Sequence, residues 1–217
     1  MVTESATWPW HWRDENLRLT SRRTHLAFCP TAKASRGRPQ HLFFNQQMTV
    51  PVELTLRSTA DGPRLFAWPV KEVAARSEGQ GIATMLSIDR LILPAGKSNH
   101  ILAPGAALDL FDADLELELQ TAEKITLKFC GTPVVYDVKS HKLSCRHVTA
   151  VVKPINGRLG LRIVGDRGSL EIFANGGATA LSVAHTPTDQ DFSIQAEGGA
   201  ALLHRPRFGD LQEKRTP

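Results

Sequence analysis

The chain has 217 residues, 41% hydrophobic and 22% charged, an ordinary balance for a globular protein. No apolar run approaches the roughly 18 residues of a membrane span, and Met1–Trp12 lacks the basic and apolar regions of a signal peptide, so no compartment is assigned. The net charge of +4 lies in residues 1–40, with seven Lys/Arg against three Asp/Glu and nineteen of each beyond; the body is neutral and offers no basic face to nucleic acid.

Residues 1–40 hold Trp8, Trp10 and Trp12 and the basic, turn-rich stretches Arg22–Pro30 and Lys33–Pro39. They read as an irregular basic leader without apolar periodicity. An RNA-binding or targeting arm is the functional alternative.

From residue 42 strand patterns take over. Val52, Leu54 and Leu56 alternate with Glu53, Thr55 and Arg57, which predicts a half-buried strand. Asp61-Gly62 predicts the turn of a hairpin, and Arg64–Val70 its return strand, with Pro69 marking an end or an edge. Lys71–Gly81 reads as a charged linker with room for a helical turn. Alternation resumes in Met85–Leu93. It is clearest in Asp112–Gln120, where Ala113, Leu115, Leu117 and Leu119 share one face. Further strands follow at Ile125–Phe129, Val134–Asp137, Thr149–Lys153, Leu159–Ile163, Leu170–Ala174, Ala178–Ala184 and Phe192–Ala196. Pro154–Gly157 and Asn175-Gly176-Gly177 read as tight turns. Many short strands between Gly, Pro and Asn turns predict an all-β fold, a two-sheet antiparallel β-sandwich, with a closed barrel as the alternative.

Few residue clusters invite chemistry. Asp112, Asp114, Glu116 and Glu118 fall on one face of a strand, the spacing of either a calcium site or the wet face of a sheet. Cys29, Cys130 and Cys145 contain no CxxC pair, so neither zinc nor a redox motif is indicated. Cys130 and Cys145 read as two buried thiols, with a cross-strand disulfide as the alternative.

Two segments carry a family resemblance. Phe44–Arg57, continued by Asp61–Glu72, resembles the stretch closing the catalytic propeller of glycoside hydrolase family 32, the β-fructosidases that include levanases, inulinases and invertases. Leu159-Gly-Leu-Arg-Ile-Val-Gly-Asp-Arg-Gly-Ser-Leu-Glu-Ile-Phe-Ala-Asn-Gly-Gly177 is similar to the "LRIxxDRxSxEIFxNxG" strand pair of that family's C-terminal β-sandwich. Asp109-Leu-Phe-Asp112 and Val135–Leu143 fall between them in the expected order. The resemblance covers about residues 42–208. It implies a β-sandwich preceded by a remnant β-hairpin of a propeller, divided as leader 1–40, last-blade remnant and linker 41–75, sandwich 76–210 and tail 211–217.

The family implies a retaining β-fructosidase activity located in the propeller, which requires a pair of carboxyl groups astride the scissile bond. The resemblance places the nucleophile in a "WxNDPNG"-like motif, the acid/base in a Glu-Cys pair and a transition-state-stabilising acid in an Arg-Asp-Pro motif. None of these occurs here: no cysteine follows a glutamate, and Arg13-Asp14 precedes Glu15. No catalytic, cofactor-binding or metal-ligating residue is therefore assigned, and no cofactor is implied. The expectation is a truncated, non-catalytic sandwich whose partners are a fructan or sucrose-type carbohydrate and a separately encoded propeller. A free-standing carbohydrate-binding module is the alternative. Neither nucleic acid nor membrane is expected as a partner. Asp166, Arg167 and Glu171 read as structural charges, with Arg167 pairing a carboxylate, or as sugar ligands. Phe173 and Ile172 are expected on opposite faces, one toward the core and one toward a partner unit. Asn45, Gln46 and Gln47 satisfy backbone or border the fructosyl pocket. Trp68 packs between the two units or stacks on a sugar ring.

Overall fold

The computed structural model describes residues 23–25, 28–30, 46–73, 89–102 and 110–211. The first strands are β1 (Arg23–His25), β2 (Phe28–Pro30), β3 (Gln46–Met48), β4 (Val52–Thr59) and β5 (Gly62–Pro69). β4 and β5 form the expected hairpin, in register from Val52↔Pro69 to Thr59↔Gly62. The turn residues are Ala60 and Asp61, one position earlier than expected. Gly62 heads β5 with φ of 100°, a conformation that only glycine adopts readily. The Thr59 hydroxyl clamps this turn. It donates to the Gly62 carbonyl at 2.7 Å and accepts the Asp61 N–H at 3.3 Å.

β1 extends the hairpin sheet beside β4, and β2 pairs with β3. Arg23–His25 and Phe28–Pro30 are thus strands within a stretch whose composition predicts irregularity. The open edge of β4 offers backbone N–H and C=O groups that pair with a neighbour regardless of its side-chain pattern. The other residues of the leader lie outside the described ones, as does Asn45. Lys71–Val73 make one helical turn, closed by the Val73 N–H to the Val70 carbonyl at 3.0 Å.

The remaining strands form two six-stranded sheets. The front sheet runs in the order β15 (Thr179–Ala184), β14 (Ser169–Ala174), β13 (Arg158–Asp166), β8 (Phe111–Glu118), β17 (Ala201–Asp210) and β6 (Arg90–Leu93). The back sheet runs β12 (Val148–Val151), β11 (Lys142–Cys145), β10 (Thr132–Asp137), β9 (Lys124–Phe129), β16 (Phe192–Glu197) and β7 (Ser98–His100). The inner faces interdigitate in one core. Ala113, Leu115, Leu117, Leu161, Ile163 and Ile172 come from the front sheet; Ile125, Leu127, Val134, Tyr136 and Ile194 come from the back sheet. Period-two alternation produces this directly, since successive side chains point to opposite faces.

An aromatic trio pins the sheets together. Phe111 of β8 stacks on Phe129 of β9 at 5.5 Å and meets Phe192 of β16 edge-on at 5.0 Å. Gly165, on the neighbouring β13, leaves room for this ring: a Cβ there would lie 2.1 Å from Phe111 Cε1. Cys130 and Cys145 are buried thiols, not a disulfide, and Cys145 is pushed up to about 11 by burial.

Alternation does not reveal β7, β11 or β17, and β17 is the longest of them. It is a ten-residue strand between β8 and β6. Its pairing with β8 shifts register between His204 and Arg207, a β-bulge that interrupts the period at Arg205-Pro206.

Candidate functional site

The outer face of the front sheet divides into a covered half and an open half. In the covered half, β13 presents Arg162 and Val164, β14 presents Glu171 and Phe173, and β8 presents Asp112. All five are buried although they point away from the sandwich core. The β4–β5 hairpin packs here. Trp68 of β5 meets Phe173 edge-on at 6.1 Å, and the Arg162 guanidinium lies 5.4 Å from the Trp68 ring centroid. Asn175–Gly177, the turn between β14 and β15, comes against the hairpin backbone: a Cβ on Gly177 would lie 2.2 Å from the Ala67 carbonyl oxygen. Asn175 shapes that turn by accepting the Gly160 N–H at 3.2 Å and donating to the Lys153 carbonyl at 2.8 Å.

Three ionisable side chains are enclosed in this seam. Arg162 grips Asp112 through two bonds, Nε to Oδ1 at 2.9 Å and Nη2 to Oδ2 at 2.7 Å, and each side chain is 6% exposed. A buried carboxylate needs such a partner to stay ionised. Among the described residues no cation pairs with Glu171. The Ser182 hydroxyl donates to Oε2, while the buried Oε1 has no hydrogen-bond partner among the described residues. Burial pushes the Glu171 carboxyl up, with the Ser182 bond opposing.

Arg167 is exposed, and its backbone N–H donates to Asp166 Oδ1 at 2.6 Å, a turn contact. Among the described residues Arg167 pairs with neither expected carboxylate. The pairing arginine of the motif is Arg162, because β13 places it diagonally across from Asp112 of β8. Trp68 takes the packing role, and Ile172 and Phe173 divide between core and seam as expected.

The open half carries the remaining acids of β8. Asp114 pairs with Arg207, Glu116 with Arg158, and Glu118 with His204 at 2.9 Å. The His204 hydrogen bond holds the Glu118 carboxyl below its ordinary range. Each acid on this strand therefore meets a basic side chain of a neighbouring strand, which favours the wet-face reading over calcium. Among the described residues no group of three or more His, Cys, Asp or Glu is disposed to hold a metal.

The model of the family "Glycosyl hydrolases family 32 C terminal" matches residues 93–205, just over half of the chain. This chain belongs to that family. A levanase from Bacillus subtilis (strain 168) is 28% identical over 180 residues, which is 71% of this chain and 26% of the levanase. Among solved structures, an exo-inulinase from Aspergillus awamori superposes with a TM-score of 0.67 at 15% identity, over 88% of this chain and 40% of its own. Fructan 1-exohydrolase IIa from Cichorium intybus superposes with a TM-score of 0.65 at 14% identity, over 88% of this chain and 46% of its own. At those identities the likeness is one of fold. The chain spans about a quarter of the levanase and under half of either structure. The matched residues contain β7 to β16, most of this chain's sandwich, and the motif Leu159–Gly177 supplies the β13–β14 pair at the seam.

Proposed function

We propose that this chain serves as the non-catalytic sandwich of a fructan- or sucrose-acting family 32 hydrolase. Residues 41–75 are the strands tying it to a catalytic propeller, 76–210 are the sandwich, and 1–40 and 211–217 are a leader and a tail. The supporting observation is the seam. Arg162, Phe173 and Gly177, all within the family motif, are spent on gripping the hairpin at Trp68 and Ala67. A sandwich whose most family-like residues hold a hairpin is built to brace that hairpin.

The acids support a non-catalytic role. A retaining glycosidase presents two carboxyl groups about 5–5.5 Å apart to a bound sugar. Asp112 and Glu171 are buried beneath the hairpin, and Asp114, Glu116 and Glu118 are engaged by Arg207, Arg158 and His204. The substrate class follows the levanase, exo-inulinase and fructan exohydrolase that the chain resembles. The partner is a propeller, in the same or a separate polypeptide.

The test has two arms. The purified chain is incubated with sucrose, levan and inulin, and release of fructose is measured; none above the blank is expected, and release would overturn the non-catalytic role. The chain is then mixed with a family 32 propeller prepared without its own sandwich. A rise of several degrees in the propeller's melting temperature is expected. No shift at saturating chain concentration removes the bracing role.

A further inference from the structure

The open half of the front sheet holds a cavity of about 790 Å³, lined by Glu116 and Asp114 of β8, Arg158 of β13, Arg205 and Arg207 of β17, and Arg90 of β6. That volume falls within the range of small-ligand sites. We propose that this cavity binds a neutral, polyhydroxylated ligand: a short fructo-oligosaccharide.

Charge pairing disfavours the simpler ligands. Of the four lining guanidinium groups, those of Arg158, Arg205 and Arg207 pair with the carboxylates of Glu116, Asp89 and Asp114, which leaves Arg90 in excess beside His204. One guanidinium beyond balance concentrates an anion only weakly, and carboxylates so paired hold no cation. The set offers instead many hydrogen-bond donors alternating with many acceptors. Each guanidinium carries five N–H donors and each carboxylate about four acceptor sites. Arg207 reaches Asp114 through Nη2, and Arg158 reaches Glu116 through Nη1. The remaining N–H groups and second carboxylate oxygens are left for a ligand. A sugar hydroxyl both donates and accepts, so vicinal hydroxyls match this alternation.

Stability does not account for the arrangement. Arg158 and Glu116 are each about half exposed, and Arg207 more so. Ion pairs in such positions contribute little. The bulge points the same way. It inserts an extra residue between His204 and Arg207, so that Arg205 and Arg207 both line the cavity while Pro206 is buried. Arg205 holds a left-handed φ of 37°, a conformation that costs free energy for a side chain of this type. Among the described residues no aromatic ring lines the cavity, so hydrogen bonds carry the recognition. The choice of a fructoside rests on the proposed function, whereas the neutral polyol chemistry rests on the cavity alone.

The experiment titrates the isotopically labelled full chain with inulin-type and levan-type trisaccharides, following backbone amide shifts and heats of binding. Binding near millimolar affinity is expected, with shifts confined to β6, β8, β13 and β17. The double variant Arg158→Met/Arg207→Met is expected to weaken it by at least about tenfold. Glu116→Gln, nearly isosteric, is expected to weaken it while leaving the urea midpoint unchanged; it serves as the test if the double variant misfolds. Four results overturn the proposal: no saturable binding up to tens of millimolar sugar, shifts elsewhere on the chain, affinity indifferent to these substitutions, or displacement of the sugar by sulfate. Equal binding of a cello-oligosaccharide would overturn the fructoside assignment. None of these readouts depends on propeller stabilisation or fructose release, so failure here and failure of the bracing role are separable.

Discussion

Replacing Arg162 by methionine tests the seam at its most expensive point. The substitution keeps most of the aliphatic volume and removes the guanidinium. Asp112, 6% exposed and held by bonds of 2.9 and 2.7 Å, is then a buried carboxylate without its cation. Breaking such a pair from one side costs about 3–5 kcal/mol, because desolvation of the surviving charge is no longer offset. The contact with the Trp68 ring at 5.4 Å is lost as well and adds about 0.5–1 kcal/mol. A folded unit of this size loses about 2–4 °C of Tm per kcal/mol, so the combined loss lowers Tm by about 7–24 °C. Removing both charges, as Arg162→Met/Asp112→Leu, leaves no orphan and is expected to recover most of the loss. The assay is urea unfolding at pH 7, followed by far-ultraviolet circular dichroism, for the parent, both single variants and the double. The reasoning is refuted if Arg162→Met costs under about 1 kcal/mol and the two substitutions add within about 0.5 kcal/mol. That outcome would mean that water reaches the pair and that the hairpin does not seal the sheet.

Three other perturbations address the seam and the core. Gly177 has φ of 90° and faces the Ala67 carbonyl, so Gly177→Ala combines backbone strain with a clash; a loss of about 2–4 kcal/mol is expected. Proteolysis of the hairpin should accelerate while residues 110–211 stay protected. His185 is buried, bonded to the Thr132 hydroxyl at 2.9 Å, and lowered to about 4 by burial and by Arg146. The unfolded chain binds that proton first, at its ordinary value near 6.5, so stability is lost as pH falls from about 6.5 to 4, by up to about 3 kcal/mol. Glu171, pushed up by burial, acts in the opposite sense: the unfolded state ionises first, and its contribution is lost as pH rises above the ordinary Glu value. Urea midpoints of the parent minus those of His185→Gln, and separately minus those of Glu171→Gln, should therefore slope in opposite directions between pH 4 and 7. Tyr136 donates to the Val152 carbonyl at 2.8 Å inside the core, and Tyr136→Phe should cost about 1–2 kcal/mol in the same assay.

The strands with one dry and one wet face were legible, because burial imposes period two on them. Asp112–Gln120 and Ile125–Phe129 show it without any tertiary information. β17 was not legible: the bulge at Arg205-Pro206 breaks the period, and the strand is held by its neighbours β8 and β6. Asp112 misleads for the opposite reason. Its place among alternating acids assigns it to a wet face, whereas the hairpin, more than forty positions earlier in the chain, closes over it. Its partner depends on strand register, which pairs Val164 with Asp112 and Arg162 with Asp114, leaving Arg162 to reach Asp112 diagonally. Motif resemblance located the seam without explaining it. Leu161, Ile163, Leu170 and Ile172 of the motif point into the sandwich core, as any half-buried strand pair would arrange. Arg162, Glu171 and Phe173 point the other way, and nothing in the sandwich alone requires an arginine, an orphaned acid and an aromatic ring there. The hairpin uses two of them, a cation and a ring for Trp68, and its Ala67 carbonyl adds a second demand for glycine at Gly177, where φ of 90° already makes one. Half of that motif therefore specifies a strand pair, and the other half specifies the surface against which the preceding unit rests.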